Sequence, residues 1–305
     1  MAIGERLKMA RHMAGLSLSA LAEKAGVSAM AVSKYERGLN LPSSGVLIRL
    51  ATALGVRVEY FLRPVTVNLS APVYRRRASL PRKQERRILG QTQDWLERYL
   101  DAETLFGNTH CFAIPQDLNR RVTSLNDVER LTLDLRQAWN LGLDPIDSLV
   151  GIFEDKGIKV GMIEAHDDFD ALTLWANQTT PVIMLKKEMS GDRQRFNLAH
   201  ELGHLILEPT AGVDAERPRV RGTGAAHRFA GAFLVPKPVV QFELGKHRKT
   251  LGIPELYLLK HKYGLSMQAW IYRAWDLDII SEACATGLFM QFRQQGWRRE
   301  EPGDQ

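Results

Sequence analysis

The stretch from Phe196 to Leu207 limits this chain more than any other, because it sets His200-Glu201-Leu202-Gly203-His204 inside an apolar run. At 3.6 residues per turn the two histidines lie four apart and stack on one face of a helix, where both imidazoles can reach one tetrahedral Zn2+ ion. Glu201 falls on the next edge of that helix, placed to take a proton from an attacking water and pass it to a leaving amine. The bland alternative is a chance spacing of common residues on a core helix. Against it stands the cost of burying His200, Glu201 and His204 among Phe196, Leu198, Leu202, Leu205 and Ile206 without partners.

With 305 residues, 45% of them hydrophobic and 25% charged, the chain is long enough and apolar enough to bury two or three cores. Its start, Met1 to Arg6, lacks an apolar signal core, and no segment approaches the length of a membrane span. The expectation is a cytoplasmic protein with no membrane partner. Cys111 and Cys284 have no metal-motif spacing and read as buried, reduced thiols. A formal net charge of +6 favours an anionic partner only where the charge is concentrated.

Residues 1–64 read as five short helices. Leu7, Ala10 and Ala14 mark the first; Leu18, Leu21 and Ala22 mark the second, ended by Gly26; Ser28 caps a third from Ala29 to Arg37, stopped by Gly38. Two helices joined by Ala25-Gly26-Val27-Ser28 form a helix-turn-helix whose second member enters a DNA major groove. The details resemble the Cro/repressor-type helix-turn-helix family, through Leu21-Ala22, Gly26-Val27-Ser28, Val32 to Gly38, Pro42, Leu50-Ala51 and Leu54-Gly55-Val56. The resemblance implies a duplex-DNA partner, contacted from Ser28, Ala29, Met30, Ser33 and Lys34. It also implies a homodimer on two half-sites. Ala29 and Met30 can touch a thymine methyl but make no bidentate base contact, leaving Ser33 and Lys34 as polar readers. Ser19 stands where the family often has a glutamine, which keeps open a five-helix module that binds protein instead of DNA. Glu36 is expected to pair with an arginine inside the module and not to face phosphate.

A boundary is expected after Pro64, followed by a basic linker and helix over 65–124. Tyr74-Arg75-Arg76-Arg77 and Arg82 to Arg87 are its densest positive charge, read either as phosphate contacts or as a solvated face. Pro81 opens a long helix with Ile88, Leu96 and Leu100 on its apolar side. Helices over Leu125–Leu141 and Ile146–Lys156 precede three strands, at Ile158–Ile163, Leu172–Ala176 and Val182–Leu185, which lead into the histidine helix. Helices at Ile253–Tyr263, Ser266–Leu277 and Ser281–Gln294 follow, with Trp270, Tyr272 and Trp275 read as core. Glu300 to Gln305 is read as a disordered tail. The fold class is mainly α with a small β-sheet (α+β): a helix-turn-helix domain (1–64), the linker and helix, a zincin-like domain (125–236) and a C-terminal helical region (237–305).

Taken with His200 to His204, the runs Gly191 to Phe196, Ala225 to Pro236, Phe169 to Leu172 and Lys262 to Ala269 resemble the ImmA/IrrE family of zinc metallo-endopeptidases. So does the closing Gly296 to Pro302. The resemblance implies Zn2+ on His200 and His204, Glu201 as the catalytic base, and a regulator protein as substrate. The chain departs from it at one place: the family's third ligand is a glutamate, and here Thr223, Gly224 and Ala225 occupy that point. Ala225 is expected to face the gap, and His227, about 200° round the helix at this periodicity, to point elsewhere. Asp214 or Glu216 in the preceding loop are the alternative donors. With two histidines alone, zinc lacks the three protein ligands usual in catalytic sites. Two functions stay open: a regulator fused to a working zinc endopeptidase, or a DNA-binding regulator or antitoxin whose peptidase-like domain binds or senses.

Overall fold

A computed structural model describes residues 2–70, 81–107, 109–166, 169–209, 224–298 and 300–303. The arginine run at 75–77 and the loop residues Asp214 and Glu216 lie outside the described residues. The fold is mostly helical with a small three-stranded sheet, and the chain divides into two compact units. One holds residues 1–111 with 161–187, the other 112–160 with 188–305.

In the first unit, α1 (Ala2–Met13), α2 (Leu18–Ala25), α3 (Ala29–Glu36), α4 (Ser44–Leu54) and a 3-10 turn (Val58–Leu62) enclose Leu7, Leu21, Val32, Leu50 and Phe61. Each helix start has its own signal, since Ser17, Ser28 and Ser43 accept from the backbone N–H three residues on. Gly26 and Gly55 close α2 and α4 in the left-handed region. Gly4 lets α1 lie against the end of α3, because a Cβ there would stand 2.6 Å from the Tyr35 carbonyl oxygen.

The long helix α5 (Arg82–Phe106) buries Ile88 and Leu96 and leaves Arg82, Lys83 and Arg86 exposed on its first turns. Arg6 on α1 reaches Glu97 on α5 at 2.5 Å, both side chains buried, and also donates to the carbonyls of Arg63 and Pro64. The sheet order is β2 (Lys159–Ile163), β4 (Thr180–Lys186), β3 (Ala171–Ala176). β3 and β4 are antiparallel from Ala171↔Leu185 to Ala176↔Thr180. Leu172, Leu174, Val182 and Met184 pack with Val67, Ile88 and Leu96 in one core.

The second unit contains β1 (Arg121–Val122), α6 (Leu125–Ala138), α7 (Leu149–Asp155), α8 (Gly191–Ile206), β5 (Glu208–Pro209), α9 (Ala225–Leu234), α10 (Lys237–Leu244), α11 (Ile253–Tyr263), α12 (Met267–Asp276) and α13 (Glu282–Gln294). Strands β1 and β5 pair in parallel directly after α8, and Arg120 Nε donates 2.8 Å to the Ile206 carbonyl at the helix end. Trp270 is fully buried, whereas Tyr272 and Trp275 are half-buried.

Two expectations from the sequence are corrected. Glu301, expected in a disordered tail, is only 5% exposed. Its carboxylate accepts from the backbone N–H groups of Met267 and Gln268 at 2.7 and 3.0 Å and pairs with Lys260 at 3.2 Å. The N-terminus of α12 offers unpaired N–H groups and a positive dipole end, which is what an acidic side chain on a short following segment fixes itself to. Residues 304 and 305 lie outside the described residues. Cys111, read as buried, is exposed, because it follows the end of α5 in an irregular segment, and Cys284 is half-buried.

Candidate functional site

Helix α8 is anchored at both ends before it presents any chemistry. At its start Ser190 Oγ donates to Asp192 at 2.6 Å, and Asp192 also lies 3.4 Å from Lys260. One turn on, the Arg195 guanidinium donates to the carbonyls of Ile146 and Asp147 at 2.5 and 3.2 Å. Leu198, Ala199, Leu202, Leu205 and Ile206 bury the apolar face, leaving His200, Glu201 and His204 half-buried beside it.

His200 and His204 do what their spacing predicts. Their Nε2 atoms stand 3.1 Å apart and their rings cross at 88° with centroids 4.7 Å apart. Two nitrogens each ~2.0–2.1 Å from zinc and separated by the tetrahedral angle are ~3.3 Å apart, so this pair fits two corners of a zinc site. The third corner is a different matter. Ala225 is 2% exposed and offers only a methyl group. Among the described residues no group of three or more His, Cys, Asp or Glu side chains is arranged to hold a metal ion.

The structure differs from the sequence expectation at His227. Its ring lies 4.4 Å from that of His200 and 5.6 Å from that of Phe196, centroid to centroid. The physical cause is the close crossing of α8 and α9 at a glycine. A Cβ on Gly203 would stand 3.3 Å from the Ala226 Cα and 3.1 Å from Phe229 Cδ1, so only glycine lets the two backbones approach this far. Counting angles round α9 gives the direction of Cβ. It does not give the reach of an imidazole leaning back over the first turn toward a neighbouring helix.

Buried ionic groups hold α9 in that place. Glu129 on α6 accepts from Arg273 on α12 at 2.6 and 3.0 Å and lies 2.5 Å from Arg228 on α9. Arg228 also stands 3.2 Å from Asp276, and Arg273 donates to the Val235 carbonyl at 3.0 Å. Burial pushes the Glu129 carboxyl up, but Arg273 and then Arg228 outweigh it and leave the group below its ordinary range. Beside this network lies a cavity of about 460 Å³, lined among others by Phe196, His227, Arg228, Gln268, Tyr272 and Glu301. One wall of this cavity is therefore the third histidine. Its size falls in the range of sites for small molecules or peptide side chains.

In the first unit, α3 presents Met30, 63% exposed, and Lys34 to solvent, with Ala29 and Ser33 half-buried beside them. Ser28 is exposed and its Oγ accepts from Ala31 N at 3.1 Å, so it serves the helix start. Glu36 pairs with Arg11 through both oxygens, at 2.6 and 2.8 Å, as its position in the module implied. The sequence reasoning missed the Glu129–Arg228–Arg273 network, since nothing local marks residues this far apart as partners.

Two family models match the chain. A helix-turn-helix model covers residues 7–61, and the model of the IrrE N-terminal-like domain covers residues 153–274, which enclose α8 and α9. The N-terminal region is similar to an uncharacterized transcriptional regulator in the ATPase CF(0) region of Rhodospirillum rubrum. That match is 39% identical over 59 residues, 19% of this chain and 55% of that protein. It is also similar to the HTH-type transcriptional regulators y4wC and y4aM of Sinorhizobium fredii, 36% and 37% identical over 59 residues, 19% of this chain and 41% of each relative. The chain thus spans about half the length, or less, of the curated relatives it matches. Among the described residues no helix is long and apolar enough to cross a membrane. The chain carries a Cro/repressor-type helix-turn-helix domain at its N-terminus and, after it, a domain of the IrrE/ImmA-like peptidase family.

Proposed function

We propose that this protein is a DNA-binding transcriptional regulator whose second domain is a zinc endopeptidase that cleaves a partner regulator. The observation that carries the enzymatic half is the 3.1 Å approach of His200 Nε2 to His204 Nε2, with Glu201 next to His200 on the same helix. His200 and His204 would hold the ion, which supplies Lewis-acid polarisation of the scissile carbonyl when bound. Glu201 takes the proton of the attacking water and delivers it to the departing amine. The cavity beside His227 gives a peptide side chain a place to rest.

The DNA half rests on the exposed edge of α3. Met30 meets apolar base edges, and Lys34 meets a phosphate or a guanine; Ser28, Ala29 and Ser33 set the distance. The protein binds as a homodimer on two half-sites.

A second reading is favoured by one observation, the buried methyl of Ala225 where a carboxylate ligand is called for. In it the domain retains its fold as a binding or sensing module. Metal analysis and a cleavage assay against a co-encoded regulator separate the two. The peptidase reading expects zinc in the purified protein and cleavage that Glu201→Gln abolishes while zinc stays bound. Cleavage that survives Glu201→Gln, or a protein free of zinc that binds its operator normally, gives the field to the second reading.

A further inference from the structure

We infer that His227 supplies the third protein nitrogen to the metal held by His200 and His204, making a three-imidazole site in place of a two-histidine, one-carboxylate site. The inference rests on the zinc reading above and concerns who completes the ligand set.

Three observations meet here. First, for two rings bound to one tetrahedral ion, with each centroid ~3.2 Å from the metal, the centroids stand ~5 Å apart. The His200–His204 and His200–His227 separations are 4.7 and 4.4 Å, and both pairs cross steeply, at 88° and 74°. Second, the position is fixed by backbone. Gly203 brings the first turn of α9 against α8, and Arg228, the residue after His227, is locked to Glu129 and Asp276. His227 therefore comes within ligand reach by turning its side-chain torsions, with no movement of either helix. Third, the acidic alternatives nearby on described elements are already committed. Glu129 and Asp276 face guanidinium groups, and Asp192 and Glu301 face the Lys260 ammonium. Pulling any of them to the histidines would strand a buried cation.

The chemistry follows from the donor set. Three neutral imidazoles are a known catalytic zinc environment, and they leave the ion its full double charge where a glutamate would have cancelled half of it. The loss of the carboxylate at Ala225 and the presence of an imidazole two residues later are then one rearrangement of the site.

The test is metal binding by the full-length protein, read without any substrate. Zinc content after dialysis, zinc affinity by competition with a chromophoric chelator, and the visible spectrum of the cobalt-substituted protein are compared for wild type, His227→Ala and the double variant His227→Ala with Ala225→Glu. Thermal melting of the metal-free proteins controls for folding. The expected result is about one zinc per wild-type chain and an affinity reduced on the order of 100-fold or more in His227→Ala. The tetrahedral cobalt bands should be altered, and occupancy should recover in the double variant. If His227→Ala binds zinc as tightly as wild type with an unchanged cobalt spectrum, the inference is overturned while the zinc reading stands. If wild type takes up no zinc, both fall together.

Discussion

The helix-turn-helix module and the histidine site are held together over different distances along the chain. In the module, α2 ends at Gly26 and α3 is capped by Ser28 two residues later, and the longer Arg11–Glu36 pair spans only the three helices it ties. In the second unit, His227 meets His200 only because Gly203 admits Ala226 and Phe229. The helix carrying His227 is fixed by Arg228 on Glu129, which Arg273 reaches from 144 residues away. Local caps are separable, each worth about 1 kcal/mol and each failing by itself. A buried ionic network is not, because removing one member leaves its partners charged and dry.

That contrast is best broken at its strongest point. Glu129→Ala leaves two buried guanidiniums without their carboxylate and is expected to cost about 3–5 kcal/mol, read by urea unfolding followed through tryptophan fluorescence. A cost under about 1 kcal/mol would mean that water or relaxation replaces the carboxylate and that the network does not position α9. Next comes Gly231→Ala. Its new Cβ would stand 2.6 Å from Arg273 Cδ, in a side chain held at both ends of its guanidinium, and about 1–3 kcal/mol of overpacking strain is expected. Zinc affinity should fall in parallel if the network places His227; a stability loss with unchanged affinity would uncouple the two.

On the other side of the comparison, Ser28→Ala removes a cap and is expected to cost about 1 kcal/mol, confined to α3. Hydrogen exchange should show faster opening of the first turn of α3 with no change in α8 or α9, and slowed exchange elsewhere would contradict the separability argument. The smallest effect vanishes at neutral pH. Burial, and then the Arg11 charge, hold the His12 imidazole down to about 4 in the folded chain. Between that value and the ordinary value near 6.5 the unfolded chain binds a proton that the folded chain does not. Stability of the module should therefore decline as pH falls through this window, and His12→Gln should flatten the decline. An identical pH profile for the variant would assign the acid sensitivity to another group.

Much of the architecture was legible before any coordinates. The boundaries of α11 (Ile253–Tyr263) and the starts of α5, α12 and α13 follow from Pro81, Ser266, Ser281 and the apolar periodicity, since caps and turns act within a few residues. The pairing of Glu36 followed too, because a carboxylate on a DNA-facing helix needs an internal partner. The tail was misread because its composition is polar and its one structural act, Glu301 capping α12, depends on a helix start 34 residues earlier. His227 was set aside by helix angle, which describes one helix, when its neighbour decided the matter.

The sequence by itself determined the helix-turn-helix, the order of the elements and the pairing of His200 with His204, because each depends on periodicities of a few residues that any isolated segment already carries. Only the tertiary structure decided that Arg6 would meet Glu97, that Glu129 would gather Arg228 and Arg273, and that an imidazole on α9 would stand against one on α8. Contacts of that kind are fixed by which backbones can approach, as at Gly203, and by the cost of leaving a buried charge alone. Both are properties of the packed chain and of no segment in it.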